Sequence, residues 1–302
     1  MKKYIIFILF LGVICLIPKP AAACVGARQL AMGGAFIAIA DDASAVYWNP
    51  AGLVQLKNIE FTYTRTMNNR DKINYDDFFS FAWCNENQGT AVAWSYIGSG
   101  FKYLIDYTED GSPITFEPKN QRYVISVAKK LWEGFSIGAN IRSSRHTYTL
   151  SAPGYWPYSE SDSNIELDLS VLCKFGDLLT AGVLVQNVNK PKYTIMDESW
   201  TMVRNVRPGI ALRITDSLRI SADYYDLLKE AQLDDRLMLG TEMTLGNFAF
   251  RAGTYMGNKT AGVGYAIDDL QIGGRKARLK IDCALLMDDL RDTFMLGATM
   301  TL

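Results

Sequence analysis

From Lys57 to Leu302 the chain alternates apolar and polar residues, run after run. In Ile59-Glu60-Phe61-Thr62-Tyr63-Thr64 every odd position is apolar and every even one polar. Phe135, Ile137, Ala139 and Ile141 alternate with Ser136, Gly138, Asn140 and Arg142, and the runs 165–171, 218–224 and 248–253 behave likewise. Side chains of a strand point to opposite faces in turn, so each run makes one apolar and one polar sheet face. The pattern predicts fourteen strands, over 57–66, 75–84, 89–98, 121–129, 135–144, 164–173, 178–187, 205–214, 217–227, 233–244, 248–256, 259–267, 278–287 and 292–302. Most have about 10 residues, close to the roughly 9–11 that a tilted strand needs to cross a bilayer.

The connectors sort by parity. After even strands they are tight: Asn85–Gln88, Lys130–Gly134, Lys174–Asp177, Thr215-Asp216 and Leu245–Asn247. After odd strands they are long: Ser99–Asn120, Arg145–Ser163 and Val188–Arg204. Short turns on one rim and long loops on the other suit an antiparallel outer-membrane barrel, whereas a soluble sandwich has no reason to sort them. Asp268–Ala277 is the exception, a longer link on the short side.

The first residues follow other rules. Met1–Lys3 is basic, Tyr4–Ile17 is apolar and Ala21-Ala22-Ala23 offers a small-residue cleavage site. The apolar run is shorter than the roughly 20 residues of a spanning helix, so 1–23 reads as a signal peptide cleaved near Ala23. Cleavage before Cys24 raises lipidation, but Ala21 stands where a lipoprotein site wants a Leu-like residue. An ordinary cleaved signal is the favoured reading. Residues 24–56 are a compact, punctuated segment. Gly33-Gly34 breaks it, Asp41 and Asp42 can cap a short helix, and Pro50 stops that helix by Asn49. Gly52 is a second break. The barrel proper is then 57–302.

This segment carries a resemblance. Gly26, Ala27, Arg28, Met32, Gly33, Gly34, Ala35, Phe36, Asp41, Asp42, Ala43, Ser44, Asn49, Pro50, Ala51 and Gly52 match the N-terminal signature of the FadL-type outer-membrane proteins. The match is similar above all to their PorV/PorQ branch. It covers about a tenth of the chain. The resemblance implies an all-β, transmembrane, up-and-down barrel of about 14 strands with an N-terminal hatch plugging the lumen. Its hatch motif is Arg28, Gly33, Gly34, Asp41, Asp42, Asn49, Pro50 and Gly52. The last strand, Thr293–Leu302, resembles the signal read by the barrel assembly machinery, although it ends in Leu rather than an aromatic residue.

Composition narrows the function. The signal removes Lys2, Lys3 and Lys19, leaving a mildly acidic chain that offers nucleic acid no basic surface. Cys24, Cys84, Cys173 and Cys283 are widely scattered, with neither disulfide nor metal spacing, and no cofactor is implied. His146 is the only histidine; no nucleophile elbow accompanies it, and no catalytic site is expected. The pairs Asp76-Asp77 and Asp234-Asp235 lack calcium-loop spacing.

If the apolar faces meet lipid, the lumen holds Glu60, Glu166, Asp168, Asp223, Glu242 and Asp282. Facing them are Arg122, Arg142, Arg207, Arg213, Arg219, Arg236, Arg251 and Lys280. Buried charges need partners, so a paired network that also grips the hatch is one reading. The other is that some arginines hold the head group of an entering ligand. Aromatic clusters in the long loops (Phe101, Tyr103 and Tyr107; Tyr155, Trp156 and Tyr158; Trp200) read mostly as interfacial girdle residues. Two functions remain open. One is passive transport of hydrophobic or amphipathic small molecules across the outer membrane of a diderm bacterium. The other, from the PorV resemblance, is a non-conducting docking component of a type IX-like protein secretion translocon.

Overall fold

The computed structural model describes residues 25–68, 75–108, 111–231, 233, 235–272, 274–288 and 292–302. The expected signal peptide, its cleavage site, Cys24 and Asp234 lie outside the described residues.

Two short helices, α1 (Ala27–Ala31) and α2 (Ala45–Trp48), and a 3₁₀ turn (Pro50–Gln55) precede the strands. These are β1 (Asn58–Asn68), β2 (Tyr75–Asn85), β3 (Thr90–Gly100), β4 (Tyr103–Tyr107), β5 (Pro113–Trp132), β6 (Phe135–Ser151), β7 (Tyr158–Phe175), β8 (Leu179–Gln186), β9 (Lys192–Ile195) and β10 (Glu198–Thr201). There follow β11 (Asn205–Arg213), β12 (Leu218–Tyr224), β13 (Leu237–Leu245), β14 (Phe248–Tyr255), β15 (Asn258–Ile272), β16 (Arg275–Met287) and β17 (Thr293–Thr301).

Fourteen of them close on themselves. Neighbours in sequence pair antiparallel, β1 pairs with β17, and β3 reaches past β4 to pair with β5. Closure leaves no free edge, the condition for a sheet to stand in lipid. All fourteen expected strands are present. β4 lies on the upper part of β5, and β9–β10 form a separate hairpin.

The faces divide as the alternation demands. Trp83, Trp94, Ile125, Ile141, Leu169, Phe250 and Val263 point outward and are strongly exposed. So continuous an apolar surface matches a lipid-facing belt. Among the described residues no helix is long and apolar enough to cross a membrane.

Two expectations about connectors change. Asp268–Ala277 is not a loop: β15 and β16 continue through it, with a register shift between Ile267 and Leu270. The long connectors are largely strand as well. β6 and β7 stay paired up to Leu150 and Tyr158, well past the last outward apolar pair, Ile141 and Leu167. Outward positions there are Ser143, Arg145, Thr147 and Thr149, so this hairpin stands clear of the belt. At its tip Tyr155, Trp156 and Tyr158 lie well outside any girdle, and Trp156 is 97% exposed.

Candidate functional site

Residues 25–56 lie inside the barrel. Gly33 and Gly34 take positive φ (62° and 70°), a backbone that side chains resist, so the chain turns sharply after α1. Asp42 Oδ1 accepts from Ser44 N at 2.9 Å ahead of α2, and Asn49 ends that helix in extended geometry. The expected break at Gly52 is absent; the 3₁₀ turn runs through it. α1 was not foreseen.

Apolar side chains fill the middle of the plug. Phe36, Ile37, Trp48 and Leu53 are at most 1% exposed, and Val46 and Leu53 share a core with Phe78, Ile97 and Val124 of the wall. Each such side chain contributes roughly 1.5–3 kcal/mol on leaving water.

The wall then satisfies the plug's backbone. Asp223 Oδ2 accepts from Phe36 N and Ile37 N, each at 2.8 Å. Ser221 Oγ donates to Ala35 O and Ser136 Oγ to Ala51 O, both at 2.8 Å. Asn140 Nδ2 donates to Val46 O at 2.8 Å, and Ser170 Oγ accepts from Ala51 N at 2.9 Å. From the plug, Asn49 Nδ2 donates to Val171 O at 3.1 Å. Buried backbone groups demand such partners, and here polar lumen residues supply them.

Close contact also needs missing side chains. A Cβ on Gly138 would collide with Ala51 N, one on Gly240 with Met32 O, and one on Gly253 with Leu239 O and Gly33 N. The alternation alone counts these glycines as weakly polar positions and does not reveal them. At Gly240 and Gly253 the wall is one backbone thick, and an apolar groove of ≈ 480 Å³ lies over it on the outer face of β11–β14.

At the short-turn rim the plug is held by an ionic clasp. Arg28 meets Glu242 at 2.8 Å, Asp41 at 2.6 Å and Asp42 at 3.2 Å. Arg219 also reaches Asp41 at 2.9 Å, while Arg251 joins Glu242 (2.6 Å) to Asp282 (2.7 Å). Burial pushes the Asp41 carboxyl up, but the Arg28 and Arg219 guanidiniums outweigh it and hold it well below the usual carboxylate range. The same carboxylates raise the Arg28 guanidinium further against burial. Two clefts, ≈ 580 and ≈ 250 Å³, open beneath, sharing Asp41, Arg278 and Lys280.

The remaining candidate arginines fall into distinct settings. Arg142 pairs with Asp168 at 2.9 Å and Glu166 at 3.1 Å. Arg207, 1% exposed, lies between the rings of Trp48 and Tyr225 at 5.0 and 4.9 Å, a cation–π arrangement. Arg213 does not face the lumen ligand space: it sits at the rim, half exposed, and pairs with Asp216 of the turn at 3.0 Å. Arg236 belongs to the loop before β13 and faces Asp226 at 3.6 Å. Arg122 makes no ion pair within 4.0 Å among the described residues, and its Nε is buried without a partner.

The far rim is roofed by the β9–β10 hairpin, which lies within the connector 188–204. Tyr193 and Ile195 point inward at 0 and 1% exposure. Tyr193 Oη donates to Glu166 at 2.9 Å, and Thr194 N to Asp162 at 2.8 Å. Tyr193, Trp200, Tyr148 and His146 form a connected ring cluster with centroids 4.5–6.1 Å apart. Among the described residues no group of His, Cys, Asp and Glu is arranged to hold a metal.

No family model matches the sequence, and a search of curated proteins found no match. Solved structures do. The toluene transporter TbuX of Ralstonia pickettii is 14% identical with a TM-score of 0.63, over 91% of this chain and 96% of that one. The toluene transporter TodX of Pseudomonas putida is 12% identical with a TM-score of 0.62, over 91% and 96%. A FadL homologue of Pseudomonas aeruginosa is 12% identical with a TM-score of 0.61, over 93% and 98%. The chain therefore has the fold of these FadL-type proteins, a closed antiparallel barrel of fourteen strands.

Proposed function

We propose that this barrel sits in the bacterial outer membrane and passes hydrophobic or amphipathic small molecules inward. One observation carries the reading: the lumen is stoppered by the chain's own N-terminal segment, held through glycine contacts and an ionic clasp at the short-turn rim. The neighbours of like fold include proteins described as toluene transporters, which supports the substrate class. The aromatic cluster under the β9–β10 hairpin is a suitable first stop for such a molecule. The thin wall at Gly240 and Gly253, with its apolar outer groove, supports sideways release into the membrane.

Uptake of toluene or a labelled fatty acid into liposomes is the test. Rates above those of protein-free vesicles are expected; equal rates would remove the reading.

A second reading, PorV-like docking to a secretion translocon, draws on the short-turn rim. There the β15–β16 hairpin extends past the belt and borders a cleft lined by Asp268, Asp269, Lys276 and Arg278. Such a charged rim suits a protein partner in the periplasm. Isolation from native membranes as part of a large complex, rather than as a lone barrel, would favour it.

A further inference from the structure

The upper lumen holds buried polar atoms that nothing in the chain satisfies. His146, on β6 and 7% exposed, faces Asn120 Oδ1 through Nδ1 at 2.6 Å. With that oxygen as acceptor, Nδ1 carries the proton and Nε2 is left as a bare acceptor. Nε2 is buried without a partner. On the adjacent strand β5, Arg122 Nε is a buried donor, also without a partner. Asn120 stands opposite His146 and Arg122 opposite Ser144, so Arg122 and His146 are diagonal cross-strand neighbours, within about 7–8 Å at the backbone. Aromatic rings flank His146: Tyr193 at 4.5 Å and Trp200 at 5.7 Å from its ring.

Unsatisfied buried polar atoms are costly, so a donor and an acceptor left unpaired on diagonal neighbours of adjacent strands mark a place where something binds. A hydroxyl fits both, because it accepts from Arg122 Nε and donates to His146 Nε2. A carboxylate would accept from Arg122 Nε and from Ser144 Oγ, which stands opposite Arg122 and also lacks a partner, but it would leave His146 Nε2 bare. It would also meet Glu166, already engaged by Tyr193 and Arg142, and Asp162, engaged by Thr194.

We infer that Arg122 and His146 form a head-group site for a neutral, hydroxyl-bearing aromatic compound whose ring packs against Tyr193 and Trp200. The inference deepens the transport reading and rests on it for biological purpose, but the binding itself is separable. The probes are 4-methylphenol, toluene and benzoate, titrated calorimetrically into the purified barrel in detergent. The wild-type protein is expected to bind 4-methylphenol at least about tenfold more tightly than toluene, the factor that matching a buried polar site commonly supplies. Arg122→Met and His146→Leu should each erase that preference while toluene affinity holds, with folding checked by heat-dependent gel mobility.

Equal wild-type affinities, no binding of either compound, or tighter binding of benzoate would each overturn the site, without need of the variants. Preference without flux into liposomes would keep the site and remove transport. Toluene flux without preference would do the reverse.

Discussion

Gly138 shows how closely the plug is fitted to its wall. Its missing side chain leaves room for Ala51 N and Pro50 C, so a valine there must displace either the 3₁₀ turn or β6. Overpacking of this kind costs about 1–3 kcal/mol. Gly138→Val should lower the urea midpoint accordingly and expose the Pro50 region to protease, whereas Gly176→Asn, in an open turn with nothing within 4 Å of an added Cβ and at a positive φ that asparagine tolerates, should leave the plug protected. Equal protease sensitivity in the two variants would contradict the close fit. Arg28 is the second decisive residue. Its side chain is 9% exposed and meets three carboxylates, so Arg28→Ala strands buried charge. Removing one partner of a buried pair commonly costs about 3–5 kcal/mol. The lower end is expected, because Arg251 and Arg219 still face Glu242. Denaturant unfolding in detergent measures it, and adding Asp42→Asn to the variant should recover part of the loss.

At the scale of elements, the strands were legible because lipid and a polar lumen impose opposite demands on alternate residues, as in Phe135–Arg142. The reading failed where both faces meet water. Asp268, Asp269, Gln271 and Lys276 alternate nothing, so the lower ends of β15 and β16 looked like a loop, as did the upper ends of β6 and β7. The β9–β10 hairpin escaped for another reason: its inward residues Tyr193 and Ile195 are too few to set a period. In the plug, Gly33-Gly34 and Asn49-Pro50 announced its turns, but the partners that hold it (Asp223, Asn140, Ser221) come from distant strands that no local pattern connects to it. The clasp has a pH consequence. Asp41 is held below the usual carboxylate range, so its stabilising contribution is complete above an ordinary carboxylate pKa of about 4 and fades only as pH falls below that. The excess protease protection of the plug in the wild type over Asp41→Asn should therefore be flat from pH 8 to 5 and shrink only in stronger acid. A midpoint near neutrality would show that some other group controls release.

For the whole molecule, the claim that orders the others is where the membrane lies. The outward apolar residues form a band from Trp83, Trp132 and Phe248 near one rim to Tyr63, Ile141 and Leu167 towards the other, and beyond it the wall continues as a wet β-hairpin. The tryptophans sample each environment separately. Trp83 and Trp94 stand on the outer face, at 42 and 41% exposure, Trp156 is at the tip of β6–β7, and Trp48 is 1% exposed inside the plug. In liposomes, variants retaining only Trp94 should be quenched by brominated acyl chains and spared by iodide. Those retaining only Trp156 should show the reverse, and Trp48 alone should be protected from both. This pattern follows from a lipid belt that stops just above Ile141, at the level of Ile165 and Tyr123, because the outward residues of β6 and β7 beyond that level are hydroxyls and Arg145, which hydrocarbon would not tolerate. Quenching of Trp156 by the acyl chains would place the band elsewhere and turn the inward residues, the clasp and the Arg122–His146 site to different surroundings. Iodide access to Trp48 would mean that the plug leaves the lumen at rest, and the stopper model of transport would fall with it.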